Sequence, residues 1–97
     1  SPESLAGEWV IIDDGKSCHI TFFSDKVENI NGYKLLVNSP CKHIVLPELP
    51  AAWRPAPDGI DLLNHDGMSI LFFSQDGESY RSNIWDKQGK ILKRNIQ

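Results

Sequence analysis

The chain has 97 residues, 24% of them charged and 40% hydrophobic, with a formal net charge of −3. That is enough for one core and too little for two. Lysine and arginine are scattered except for "KRN" near the end, so no basic patch is present to hold a phosphate backbone, which argues against nucleic acid as a partner. No apolar run approaches the roughly 18 residues of a membrane span, and the missing initiator Met suggests either a leader already removed or a trimmed chain.

The chain opens "SPESLAGEWV", a polar stub from Ser1 to Ser4 ahead of the first strand-like residues, Trp9 to Ile12. A short, exposed, uncapped tail of this kind frays unless something ties it down. Beyond it, turn signals recur at even spacing: "DDG" (13–15), "NG" (31–32), "NSP" (38–40), "PDG" (57–59), "HDG" (65–67), "QDG" (75–77) and "KQG" (87–89). In each, Gly supplies positive φ cheaply, or Asp and Asn bond their own backbone. Between them run short segments rich in Val, Ile, Phe, Tyr and Trp, at 8–12, 17–23, 33–37, 53–56, 60–63, 68–74, 79–85 and 90–94. Eight short strands joined by tight turns predict an all-β fold.

Trp9 and Ile11 share one face by alternation; so do Cys18, Ile20 and Phe22, and so do Tyr33, Leu35 and Val37. "SILFF" lacks clean alternation. The last four strands read as an antiparallel meander, which closes most naturally into an up-and-down barrel because closure removes the edges. The expected fold is therefore an eight-stranded antiparallel up-and-down β-barrel over residues 7–97, preceded by a trunk at 1–6. Trp9, Phe22, Leu35, Leu62, Phe72 and Tyr80 are the expected inward set, bulky enough to fill an eight-strand interior. The stretch 39–52 carries three prolines and so is no central strand. Within it "CKHIVL" can make one helical turn before Pro47.

Cys18 and Cys41 are an even pair in a small domain, which suits an oxidising compartment and a disulfide. Two buried thiols are the alternative. A bridge would close a loop of about 24 residues and stabilise by ~3.5 kcal/mol.

Catalytic and metal chemistry is hard to find. His19, His43 and His65 lack partners at metal-ligand spacing. Asp13, Asp14, Asp58, Asp66 and Asp76 sit in turns, where they serve as turn formers first. Neither a G-x-S-x-G elbow nor a Gly-rich phosphate loop is present. The residues describe a binding module with no cofactor and no metal of its own, not an enzyme.

Two stretches carry a specific resemblance: "LAGEWV" (5–10) and "LPELPAAWRPAPDGIDLL" (46–63). The pattern Leu-Pro-x-x-Pro-x-x-Trp-Arg-Pro-x-Pro-Asp-Gly resembles the bacterial inhibitors of serralysin-type zinc metalloproteases, the alkaline protease inhibitor family. A Cys in the second strand, another a few residues before the Leu-Pro, and "FFS" after a Gly-bounded turn support it. The likeness runs from about Leu5 to Arg94. It implies a lipocalin-like barrel with one disulfide, and a periplasmic or secreted protein of a Gram-negative bacterium. A monomer alone, it would bind its protease one to one.

The resemblance also implies a use for the stub. In such inhibitors an N-terminal trunk threads into the protease cleft and the amine of its first serine approaches the catalytic zinc. Carried over, Ser1 would face the zinc and Pro2, Glu3, Ser4 and Leu5 would line neighbouring subsites. The chemistry is sound, because a catalytic zinc keeps one position open and a chain-terminal amine is the easiest amine of a polypeptide to deprotonate. Pro2 lowers the entropy lost on immobilisation. The trunk before "AGEWV" is shorter than the family's usual one, and five residues span at most about 17 Å. In "WRPAPDG", Pro55, Pro57, Asp58 and Gly59 are expected to set a rigid turn, with Trp53 and Arg54 packed across a barrel end and the guanidinium over a ring. Two rival readings remain: a lipocalin-type carrier of a small ligand, and an inhibitor of another secreted hydrolase acting through a loop.

Overall fold

A computed structural model describes residues 1–38, 41, 46–82 and 89–96. A one-turn helix α1 (Pro2–Leu5) leads into β1 (Gly7–Asp13), β2 (Lys16–Lys26), β3 (Tyr33–Val37), β4 (Ala52–Ala56), β5 (Gly59–Leu63), β6 (Ser69–Asp76), β7 (Ser79–Arg81) and β8 (Ile91–Arg94). The strands close into a barrel in sequence order, each antiparallel to the next, with β8 returning to β1. The eight-stranded up-and-down barrel is thus as the turn spacing and alternation require. The expected seventh strand at 79–85 is observed over Ser79–Arg81; residues 83–88 lie outside the described residues, as do 42–45 of the expected turn in "CKHIVL".

The interior is filled. Trp9, Ile11, Cys18, Ile20, Phe22, Leu46, Trp53, Ile60, Leu62, Phe73 and Leu92 form the buried cluster, with Leu35 and Tyr80 partly buried against it. Trp53 stacks on Phe22 at 4.7 Å between ring centroids, and Trp9 tilts against Phe22 and meets Tyr80 edge-on. These aromatics set the packing geometry as well as contributing buried area.

Phe72 corrects one expectation. It is 40% exposed, while Phe73 is fully buried. β6 pairs with β5 through Leu62↔Leu71 and Ile60↔Phe73, with a register shift between Leu62 and Leu63. That shift absorbs one residue and places Leu71 and Phe73 on the core side. Phe72 falls opposite Asp61 instead, on the outer wall. Its ring lies over Gly59, where an added Cβ would overlap the Phe73 carbonyl and touch the Phe72 ring. The close approach of two backbones is what demands glycine there.

The seam between β3 and β4 is the thin part of the barrel, joined at the single pair Tyr33↔Trp53. Pro55 in β4 exploits this: its missing N–H costs little in a strand with so few ladder bonds on one side. The Cys18–Cys41 disulfide, with Cα atoms 5.2 Å apart, lies toward the other end of β3, since Cys18 is two residues beyond the Ile20↔Val37 pair. It fastens the connection between β3 and β4 to the buried wall of β2.

Candidate functional site

The N-terminal stub is not an uncapped tail. Ser1 is the N-cap of α1 and Pro2 occupies the first helical position, where a missing N–H goes unmissed. The Ser4 N–H donates to Ser1 Oγ at 3.4 Å, the Ser1 amine contacts Ser4 Oγ at 3.4 Å, and Ser4 Oγ donates to the Ser1 carbonyl at 2.8 Å. This is a reciprocal capping box built from two serines. Glu3 adds an acidic group in the first turn, where the helix dipole favours it. The turn ends at Ala6, which returns to extended geometry before Gly7 opens β1 at φ 126°.

Three contacts fix the base of this turn at the end of the barrel where β1 begins and β8 ends. The Trp9 indole N–H donates to the Leu5 carbonyl at 2.9 Å. Arg94 donates through Nη1 to the Ala6 carbonyl at 2.8 Å and through Nη2 to the Ser4 carbonyl at 2.5 Å. Leu5 is partly buried against the core cluster. The turn lies near both β2 and β4, so it crosses the barrel mouth. Its free end, Ser1, is exposed.

Strand pairing explains the arginine. Trp9 and Arg94 are direct partners across β1 and β8, so their side chains leave the same face, and that face is the core side. Leu92, two residues back, is fully buried. Arg94 comes at the end of β8, where the interior meets water, so its stem covers the mouth while its head stays solvated. The guanidinium sits over the Trp9 ring at 4.6 Å, a cation–π contact.

The "WRPAPDG" stretch is placed differently from expectation in two respects. Pro57 and Asp58 form the two-residue turn of the β4–β5 hairpin, closed by Ala56↔Gly59, and the Asp58 carbonyl accepts from the Gln75 N–H at 2.8 Å. Trp53 is fully buried in the core, not laid across an end, and its indole N–H donates to the Phe23 carbonyl at 2.9 Å. The Arg54 guanidinium is not over a ring. It points outward and pairs with Asp61 at 3.2 Å, and Ser69 Oγ donates to the same carboxylate. Alternation decides this: with Trp53 inward, Arg54 must face out, opposite its strand partner Asp61.

Sequence reasoning missed Arg94, the Ser1–Ser4 capping box and the Asp61 pair. Arg94 was legible only as part of the "KRN" run near the end; its place two residues past an inward leucine was the available signal. Among the described residues, no three His, Cys, Asp or Glu side chains gather as a metal site. An open groove of about 950 Å³ is lined by Phe23, the stretch 25–29 at the end of β2 and after it, Lys34, Leu35 and Leu36 of β3, and Ala51. Among the described residues, bulky side chains fill the interior, which argues against a small-ligand carrier.

Comparison with known proteins places the class. The family described as "Protease inhibitor Inh" matches residues 1–94, and the chain belongs to that family: it is an inhibitor of proteases, not an enzyme. Among particular relatives, an "alkaline proteinase inhibitor" of Serratia marcescens is 38% identical over 94% of this chain and 73% of its own length. A "proteinase inhibitor" of Dickeya chrysanthemi is 33% identical over 97% of this chain and 78% of its own length. The solved structure of a psychrophilic marine protease MP inhibitor shares the fold, with a TM-score of 0.75, 24% identity, and coverage of 97% of this chain and 98% of that one.

Proposed function

We propose that the target is a serralysin-type zinc metalloprotease, and that residues 1–5 form the part that enters its active-site cleft, with the Ser1 amine directed at the zinc. The observation that carries this reading is the asymmetry of the N-terminal turn. Its base is held by Arg94, Trp9 and the burial of Leu5, while among the described residues the hydrogen bonds of its tip are the two serines' own. A single helical turn has almost no stability of its own, since nucleation is the costly step. Uncoiling the tip from a fixed base is therefore cheap, and it delivers an extended end of the chain in a set direction. The relatives named for alkaline proteinase support the target class.

The Cys18–Cys41 bridge suits an oxidising setting, the periplasm or the exterior of a Gram-negative cell. The barrel acts as a monomer and binds one protease per chain.

The test is a titration of a serralysin-type protease with this chain, an N-acetylated form and a form beginning at Ala6. Inhibition that falls at least tenfold in both altered forms supports the terminal amine as the zinc-directed group. Equal inhibition by all three removes the N-terminus from the mechanism and assigns the block to the barrel wall. Absence of inhibition by any form moves the target to another protease class.

A further inference from the structure

We propose that Arg94 is a positioning residue for inhibition: it acts as a two-pronged clamp that sets the direction in which the N-terminal residues leave the barrel, without itself touching the protease. The inference rests on the reading that residues 1–5 enter the protease cleft.

Four observations carry it. First, the two Nη atoms of one guanidinium donate to different carbonyls, Ala6 on one side and Ser4 on the other. A planar fork that bridges two points of a backbone fixes orientation as well as distance, which a lysine ammonium cannot do. Second, the fork is itself held, because its face rests on the Trp9 ring at 4.6 Å. Trp9 is only 2% exposed and is wedged between Phe22 and Tyr80. The clamp is thus grounded in the rigid core. Third, the same indole donates to the Leu5 carbonyl. The carbonyls of Ser4, Leu5 and Ala6 are therefore all taken by one stacked Trp–Arg pair, the first two being groups a helix end leaves without intrahelical partners.

Fourth, the site is shaped for the arginine. Gly7 lies at φ 126°, and a Cβ there would meet Arg94 Nη1 at 3.0 Å. The backbone turns under the guanidinium at the one residue type that leaves space for it.

An inhibitor that presents a short segment gains affinity when that segment is already aimed, because less ordering remains for the moment of binding. Loss of the clamp should leave the barrel folded and the N-terminal residues present but undirected. Replacing Arg94 with Met keeps the stem over the mouth and removes both prongs. R94K keeps a cation over the indole but reaches only one carbonyl.

The experiment measures inhibition constants against a serralysin-type protease for the full chain, R94M and R94K, and for R94M in the chain beginning at Ala6. Amide relaxation of Glu3 to Leu5 and the thermal midpoint are recorded beside them. The expected result is about tenfold weaker inhibition by R94M, a smaller loss for R94K, mobile Glu3–Leu5 amides in R94M, and no effect of R94M once residues 1–5 are gone. If R94M inhibits as well as the full chain while the Ala6 form does not, the clamp is overturned and the N-terminal reading stands. If R94M costs the same factor with or without residues 1–5, Arg94 meets the protease directly or props the barrel, and positioning is overturned. If the Ala6 form inhibits as well as the full chain, the N-terminal reading fails and the clamp's role in inhibition fails with it. R94K serves as the folded control should R94M lower the thermal midpoint.

Discussion

Trp53 shows how one residue can serve packing and polarity together. Its ring fills the barrel between Phe22 and Tyr33, and its indole N–H reaches the Phe23 carbonyl. Trp53→Phe keeps most of the ring but leaves that carbonyl without its donor, so we expect a loss of about 1–3 kcal/mol, read as a lower urea midpoint at unchanged slope. Gly59 is constrained from the opposite direction, by lack of space: its Cβ position is occupied by the Phe73 carbonyl. Gly59→Ala forces two paired strands apart, and the expected cost is roughly 2–4 kcal/mol. An alanine that lowers the thermal midpoint by less than a degree or two would show that the β5–β6 pair yields easily. Asp61, buried at 9% exposure between Arg54 and Ser69, is the third such position. Asp61→Ala leaves Arg54 unpartnered on the outer wall.

At the scale of elements, the barrel is uneven. β1 and β2 pair over seven residues, while β3 and β4 meet at one. The disulfide ties the connection between β3 and β4 to β2 and crosses a separation of 23 residues. Reduction, or Cys18→Ser with Cys41→Ser, is expected to cost ~3.5 kcal/mol by loop entropy, equivalent to a fall of roughly 15 °C in Tm for a domain of this size. The loss should concentrate where the staple was, so amide exchange in β3 should accelerate more than in β5. Uniform acceleration of all strands would mean that the seam and the rest of the barrel open as one unit. The N-terminal turn is a different kind of element. Four residues cannot hold a helix by propensity, and this one persists because the mouth of the barrel supplies partners for its last carbonyls.

For the whole molecule, the filled interior separates this protein from barrels that carry ligands. Trp9 and Trp53 are both buried within it, so their fluorescence reports any entry. Fatty acids or retinoids should leave the emission maximum unchanged, and a saturable shift would reveal a cavity that opens on binding. The mouth is closed by the N-terminal turn and Arg94, which places the chain's start on the surface at one end.

The barrel was legible in the sequence because its evidence is local and repeated. Each turn triplet and each alternating pair of apolar residues votes for the same architecture, and closure follows from the need to remove edges. The paired cysteines and the Pro-Asp-Gly hairpin were legible for the same reason. Alternation failed at "SILFF", where Ile70 to Phe73 are all apolar and only the pairing partner and the register shift select Phe73 over Phe72. It failed again at the N-terminus. A stub with serine at both ends of a capping box reads as disordered until the mouth that it crosses is built, in part by β8 at the far end of the chain. Arg94 stands 88 residues from the carbonyl of Ala6 that it holds, and no local pattern encodes that pairing. Composition and periodicity determined that this chain is a filled eight-stranded barrel without catalytic machinery. Only closure of the sheet, which sets β8 beside β1 and stacks Arg94 on Trp9, decided how its first residues are held.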